Sequence, residues 1–198
     1  MNKIAVLVSG GGTNLQALID AQKENKLAGA EITLVISSRK GVFALDRAEK
    51  AGIKNITIEK RLTADQADFD RAVLKALDEN NTDLVVLAGF LSVLGNTVLE
   101  KYKNRVINVH PALIPSFCGK GFYGLHVHEA VLEYGVKVTG ATVHFVNEIV
   151  DGGKIILQKA VEVLAGDTPQ SLQQRVMKEG EWVLLPKAVE MFFKGEII

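Results

Sequence analysis

Val8 to Leu18 reads VSGGGTNLQAL. An apolar run, Ile4 to Val8, enters three consecutive glycines, Gly10, Gly11 and Gly12, and an amphipathic pattern leaves them from Leu15 onward. That pattern is strand, tight turn, helix. Glycine at such a junction permits positive φ and leaves main-chain N–H groups unshielded by a Cβ. The first helical turn adds unpaired donors and the positive end of its dipole. Such a loop is suited to an anion, most often a phosphate. One glycine suffices for the turn itself, so the plain alternative is a tight βα connection that holds nothing.

The loop signatures narrow the ligand. A Walker loop requires G-x-x-x-x-G-K-[ST], and no lysine follows these glycines. A dinucleotide fingerprint needs a third glycine where Leu15 stands. The next strand, EITLVIS, runs into Ser37, Ser38 and Arg39, with no acidic residue to accept from a ribose 2′-hydroxyl. What remains is a terminal phosphate monoester, held by the N–H groups of Gly11, Gly12, Thr13 and Asn14 with help from the Thr13 hydroxyl.

Outward from this loop, apolar runs alternate with amphipathic stretches. Ile4 to Val8 is followed by a helix from Thr13, Ile32 to Ile36 by a helix over Val42 to Ala51, and Ile56 to Ile58 by a helix over Asp65 to Asn80, before Leu84 to Ala88. This rhythm predicts right-handed βαβ units and a parallel sheet covered on both faces. Past Gly89 come a strand, RVINVH, a loop rich in Pro and Gly, and a short helix from Leu125 to Glu133. Two long β-type runs, KVTGATVHFV and KIILQKAVEVL, are joined by NEIVDGG, which predicts an antiparallel pair. A closing helix runs from about Thr168 toward Phe193, with Asp167 expected as its N-cap and Pro186 expected to kink or divide it.

At 198 residues, 47% of them hydrophobic, the chain suits one domain over residues 1–198. Lys plus Arg and Asp plus Glu both total 23, so there is no broad basic field for nucleic acid. No apolar segment reaches membrane-spanning length, and a single cysteine, Cys118, forms no internal disulfide; a cytoplasmic setting is expected.

The reactive side chains concentrate in INVHPALIP. Asn108 and His110, two apart at a strand end, leave on one face and can point at one ligand. Ligands of open α/β sheets sit beyond the carboxyl ends of the strands, where the glycine loop also lies. An amide donor beside an ionisable imidazole suits an oxyanion developing during acyl transfer. Asp151, in NEIVDGGKII, is flanked by Gly152 and Gly153. If its loop folds over the same cleft, its carboxylate can pair with His110, raise the imidazolium pKa and take a proton. Cys118 has no sequence feature that would lower its pKa, and no G-x-S-x-G elbow is present. His126 and His128, two apart at a helix start, do not face each other, and no metal site is expected.

Taken together, SGGGTNLQAL, VVLAGFLSVL, VINVHPALIPSF, GATVHFVNEIVDGGKIILQ and AGDT strongly resemble the phosphoribosylglycinamide formyltransferase family, from about Lys3 to about Phe193. The resemblance implies a Rossmann-like three-layer α/β fold with a central, mostly parallel sheet and an antiparallel strand in the C-terminal half. It implies transfer of a formyl group from 10-formyltetrahydrofolate to the amine of glycinamide ribonucleotide in purine synthesis, by direct attack. Gly11, Gly12, Thr13 and Asn14 would hold the ribonucleotide phosphate. Asn108 and His110 would polarise the formyl oxygen, and Asp151 would assist His110.

By the same resemblance, Leu91, Ser92, Val93 and Leu94 would line the folate pocket together with the Val146 to Asp151 loop, Asn108 and Asp151. Glu181, in KEGEW, matches a carboxylate that contacts the substrate near its amine, with one extra residue in the preceding MKEG. His144 matches a histidine beside the cleft. Gln66, near Arg61, stands where some members carry a basic residue for the folate, and Lys120 is a substitute candidate. Small-molecule substrates, no nucleic acid, no membrane and a monomer or homodimer are expected. A formyltetrahydrofolate hydrolase and a non-catalytic phosphate-ligand sensor are the alternatives.

Overall fold

The computed structural model describes residues 1–197. The strands are β1 (Lys3–Val8), β2 (Glu31–Ser37), β3 (Lys54–Thr57), β4 (Leu84–Leu87), β5 (Val106–His110), β6 (Val138–Phe145) and β7 (Ile155–Glu162). The helices are α1 (Thr13–Lys23), α2 (Phe43–Lys50), α3 (Gln66–Glu79), α4 (Asn96–Lys101), α5 (Leu125–Tyr134), α6 (Pro169–Val176) and α7 (Trp182–Phe193). The strands pair in the order β3-β2-β1-β4-β5-β6-β7. β1 to β5 pair in parallel, and β6 runs against both β5 and β7. The expected mostly parallel sheet with an antiparallel strand in the C-terminal half is the one observed.

Side chains alternate across the sheet, so each strand feeds two cores. Ile4, Val6 and Val8 of β1 face one, with Leu15 and Leu18 of α1, Ala44 of α2 and Leu185 of α7. Ala5 and Leu7 face the other, with Phe69 and Val73 of α3 and Val98 of α4. Both faces of β1 are therefore dry, which is why its sequence is a continuous apolar run rather than an alternating one.

Three expectations change in detail. The helix α4 went unread because it is six residues long with Val98 its one fully buried side chain; its entry is fixed by α3, where the Asp70 carboxylate accepts from the Gly95 N–H at 3.0 Å. The N-cap of α6 is Thr168, whose hydroxyl accepts from the Ser171 N–H in a reciprocal capping box. Asp167 instead grips Arg175 through two contacts of 2.7 and 2.6 Å. The closing helix is divided, but by a π-turn over Met177–Glu181 lying ahead of Pro186, and α7 continues through the proline. A helical proline disturbs the turn that precedes it, and here that stretch is already widened.

Of the three opening glycines, the fold requires one. Gly12 caps α1 at φ 72°, and a Cβ there would lie 2.7 Å from the Ala44 Cβ. Gly10 and Gly11 have open space where a Cβ would go. Gly12→Ala is expected to lose on the order of 2 kcal/mol in urea unfolding, whereas Gly10→Ala stays within about 0.5 kcal/mol of wild type.

Candidate active site

The strand order reverses between β1 and β4, so a crevice opens beyond their carboxyl ends. The glycine loop leaves β1 there, and the segment Phe90 to Leu94 leaves β4. The two are tied by the Leu91 N–H, which donates to Ser9 Oγ at 2.8 Å; Ser9 Oγ is also 2.6 Å from Ser38 Oγ. Arg47 Nε donates to the Gly11 carbonyl at 2.9 Å, turning that oxygen toward α2. Thr13 opens α1, so the N–H groups of its first turn are directed along the helix axis into the crevice.

Asn14, whose backbone was expected at the phosphate, also has a second function that its sequence context does not show. Its side chain is buried and its Nδ2 donates to Glu181 Oε2 at 2.6 Å. Glu181 ends the π-turn, where Gly180 packs closely against Ala141. An α-turn that takes one additional residue becomes a π-turn, which accounts for the extra residue in MKEG. Burial pushes the Glu181 carboxyl up to about 7, against a smaller opposing pull from Asn14.

The second half of the site is set by the β5–β6 register. Ile107 and Val109 face one core, so Asn108 and His110 share the opposite face. Asn108 pairs with His144 and His110 with Thr142 across the antiparallel ladder. His144 Nδ1 donates to its neighbour's carbonyl, Phe145 O, at 2.8 Å, which leaves Nε2 to accept from Asn108 Nδ2 at 3.1 Å. That hydrogen bond fixes the Asn108 amide, so His144 contributes more than its sequence context indicates.

Asp151 closes the constellation. Its Oδ2 accepts from the Gly119 N–H at 2.8 Å and lies 3.5 Å from His110 Nδ1, while Oδ1 is 3.7 Å from His144 Nε2. The last separation is too long for a hydrogen bond, which supports assigning Asn108 as the His144 partner. Asp151 adopts φ 56°, uncommon for a residue with a side chain, and Gly153 passes so close to the Phe145 carbonyl that no Cβ would fit. Burial works against the charged carboxylate, but the flanking imidazoles and the Gly119 N–H outweigh it and hold its pKa below the usual value.

His110 is buried, and its Nε2 donates to the Phe117 carbonyl at 2.8 Å. The edge left for chemistry is Nδ1, beside Asp151. Burial lowers the His110 pKa, and Asp151 and Phe117 offset this only in part. The expected pairing is present, but the expected rise in pKa is overturned by desolvation: the free imidazole is neutral near pH 7.

Of the folate-pocket candidates, Leu94 is core, whereas Leu91 and Val93 are exposed. Exposed apolar side chains at the mouth of a crevice suit a flat ring system. Ile149 and Val150 of the Asp151 loop are exposed as well, and Val146 packs into the same core as Leu94. Ser92, together with Leu91, lines a cleft beside the ends of β2 and β3. The Cys118 thiol is pushed up by burial and then by the charge of Asp151, so it is not activated as a nucleophile. Among the described residues, no group of three or more His, Cys, Asp and Glu is placed to hold a metal ion, and no helix is long and apolar enough to cross a membrane.

A glycine loop on one side of a sheet crevice and an amide, imidazole and carboxylate on the other define an α/β enzyme of the acyl-transferring class. The chain belongs to the formyl transferase family, whose model matches residues 2–189. It is 38% identical to the phosphoribosylglycinamide formyltransferase of Escherichia coli over 98% of this chain and 88% of that protein. It is 46% identical to the trifunctional purine biosynthetic protein adenosine-3 of Bos taurus over 98% of this chain, spanning about a fifth (19%) of that longer protein. The crystal structure of glycinamide ribonucleotide transformylase 1 from Symbiobacterium toebii superposes with a TM-score of 0.93 at 39% identity, covering 100% of this chain and 90% of the other.

His128 is the buried histidine that the sequence does not explain. It sits on α5 fully out of solvent, with neither ring nitrogen hydrogen-bonded among the described residues, and burial followed by repulsion from His110 lowers its pKa to about 4. Between about pH 4 and 6.5 the unfolded chain binds the extra proton and the folded one does not, so stability falls as pH falls through that window. Urea unfolding at pH 7 and pH 5 should show His128→Leu losing about 2 kcal/mol less than wild type over that interval.

Proposed function

We propose that the protein transfers the formyl group of 10-formyltetrahydrofolate to the primary amine of glycinamide ribonucleotide, as a step of purine synthesis. The observation that carries this reading is the convergence of Asn108, His110 and Asp151 on one crevice with the glycine loop. The relatives and solved structures of high coverage bear names of that activity.

The ribonucleotide phosphate lies against the N–H groups of Gly11, Gly12, Thr13 and Asn14 at the start of α1. This places the amine toward Glu181, which Asn14 joins directly to the phosphate loop. The pterin lies against Leu91, Val93 and the loop carrying Ile149 and Val150. The amine nitrogen attacks the formyl carbon, and the carbonyl electrons move to oxygen. Asn108 donates to that oxygen through its amide, held by His144; the proton lost by the amine passes by way of Asp151 to His110 Nδ1, and the imidazolium so formed, paired with Asp151, donates to the oxygen. As the tetrahedral centre collapses, the bond from carbon to N10 breaks. That proton then leaves His110 Nδ1, by way of Asp151, for N10, which restores the neutral imidazole; neither a metal nor an acyl-enzyme takes part in this sequence.

His110→Ala is expected to lose at least about 10²-fold in kcat, read from the absorbance change on deformylation. Deformylation that requires the ribonucleotide supports transfer; deformylation without it identifies a hydrolase, and none in either case identifies a binding protein.

Glu181→Gln provides a separate check on the acceptor side. An ionised Glu181 attracts the amine in its ammonium form, so kcat/KM for the ribonucleotide should rise through about pH 7 as the carboxyl ionises. The Gln variant should raise the ribonucleotide KM by about 10-fold and lose that limb of the profile.

A further inference from the structure

The glycine loop is braced from behind by α2. Gly10 offers its carbonyl to the Ala44 N–H at 3.1 Å, in the first turn of that helix, and Gly11 offers its carbonyl to Arg47 Nε at 2.9 Å, about one turn further along. In a trans peptide the N–H points opposite to the C=O of the same unit. Drawing both carbonyls to α2 therefore turns the Gly11 and Gly12 N–H groups the other way, and neither finds an acceptor among the described residues. Successive N–H groups aimed alike make a cradle for an anion. The backbone of α2 sets the first of them. The second depends on one side chain.

Arg47 is itself held on two further sides. Its Nη1 donates to Gln16 Oε1 at 2.8 Å, Gln16 Nε2 donates to Asp20 Oδ1 at 2.9 Å, and the guanidinium carbon lies 4.7 Å from the centroid of the Phe43 ring. Phe43 and Arg47 stand four apart on α2 and share a face, so an aromatic ring left half exposed serves as a shelf for the guanidinium. The loop needs such a restraint. Gly10 and Gly11 have the freest backbone of any residue type, and nothing packs against the place where a Cβ would lie.

We propose that Arg47 is a positioning residue of the acceptor site, which fixes the Gly11 to Gly12 peptide with its N–H toward the 5′-phosphate and so favours a phosphorylated acceptor. The inference rests on the acceptor assignment made above. Arg47 acts through the peptide it holds rather than on the reacting atoms. Its charged hydrogen bond to the carbonyl also polarises that peptide, which strengthens the N–H on the opposite side as a donor. Lysine lacks both the fork that bonds the Gly11 and Gln16 oxygens together and the planar face that lies on Phe43.

The test compares glycinamide ribonucleotide with the same nucleoside lacking its 5′-phosphate, in the wild type, Arg47→Met and Arg47→Lys. Methionine keeps most of the apolar stem, and lysine keeps the charge. Both variants should raise the ribonucleotide KM about 10-fold, with kcat and the KM of the formyl donor unchanged. The kcat/KM for the acceptor without phosphate should stay at the wild-type value. Inorganic phosphate should weaken as a competitive inhibitor by the same factor, and should stabilise the wild type against thermal unfolding more than either variant.

A loss shared equally by the two acceptors would make Arg47 a general support of the fold and overturn the assignment, as would an unchanged ribonucleotide KM. Full rescue by lysine would leave only the charge and overturn the orienting role. If the wild type turns over neither acceptor, the formyl-transfer reading fails, and stabilisation by phosphate then decides Arg47 separately. An equal thermal shift in the wild type and Arg47→Met would overturn its role, whereas a shift confined to the wild type would uphold it.

Discussion

The site depends on the register of one strand pair. β6 runs antiparallel to β5 with Asn108 opposite His144 and His110 opposite Thr142. Because side chains alternate, a slip of one residue would turn Asn108 and His110 into the core now filled by Ile107 and Val109, and would place apolar side chains in the crevice. The register is held by Val143 and Phe145 of β6, buried on the same face as Ile107 and Val109. The hydrophobic core and the face that carries Asn108 and His110 are thus two sides of one constraint. The Asn108 to His144 hydrogen bond follows from it without further adjustment.

Around this pair the fold arranges opposing electrostatic environments at short range. Asp151 keeps its charge because two imidazoles and a main-chain N–H face it, whereas Glu181, more deeply buried, has only the Asn14 amide and is pushed toward neutrality. His110 and His128 are both driven toward the neutral form by burial, but only His110 has a carboxylate ready to receive a proton arriving on its ring. Environments that separate the pKa values of like groups are the means by which one site holds both a proton donor and a proton acceptor near neutral pH.

Most of the sheet was legible from the sequence because β1, β2, β4 and β5 are buried on both faces and read as continuous apolar runs between amphipathic helices. The glycine loop and the Asn108, His110 pair were legible for a related reason: their spacing and their place at strand ends fix where they point. The rest depends on contacts between segments far apart in the chain. Asn14 meets Glu181 across 167 residues, and the π-turn that delivers Glu181 shows in sequence only as one residue too many. His144 is placed beside the cleft by the resemblance alone, because its partner, Asn108, lies on another strand. The sign of the His110 shift could not be read either, since pairing with Asp151 and burial act in opposite directions and only the structure shows that burial is larger.

The loop from Pro111 to Gly124 makes the last connection between fold and chemistry. Its Phe117 carbonyl occupies His110 Nε2 and its Gly119 N–H occupies Asp151 Oδ2. Two main-chain groups, two residues apart, therefore orient both members of the pair, and the side chain between them, Cys118, needs no chemical function of its own. The same contacts determine which atoms remain for a substrate: Nδ1 of His110, and the part of the Asn108 amide not bonded to His144. In the proposed transfer, a formyl oxygen placed between those two groups would stand beside Asp151 and on the crevice side of the glycine loop, so the direction of attack would be set before either substrate arrives.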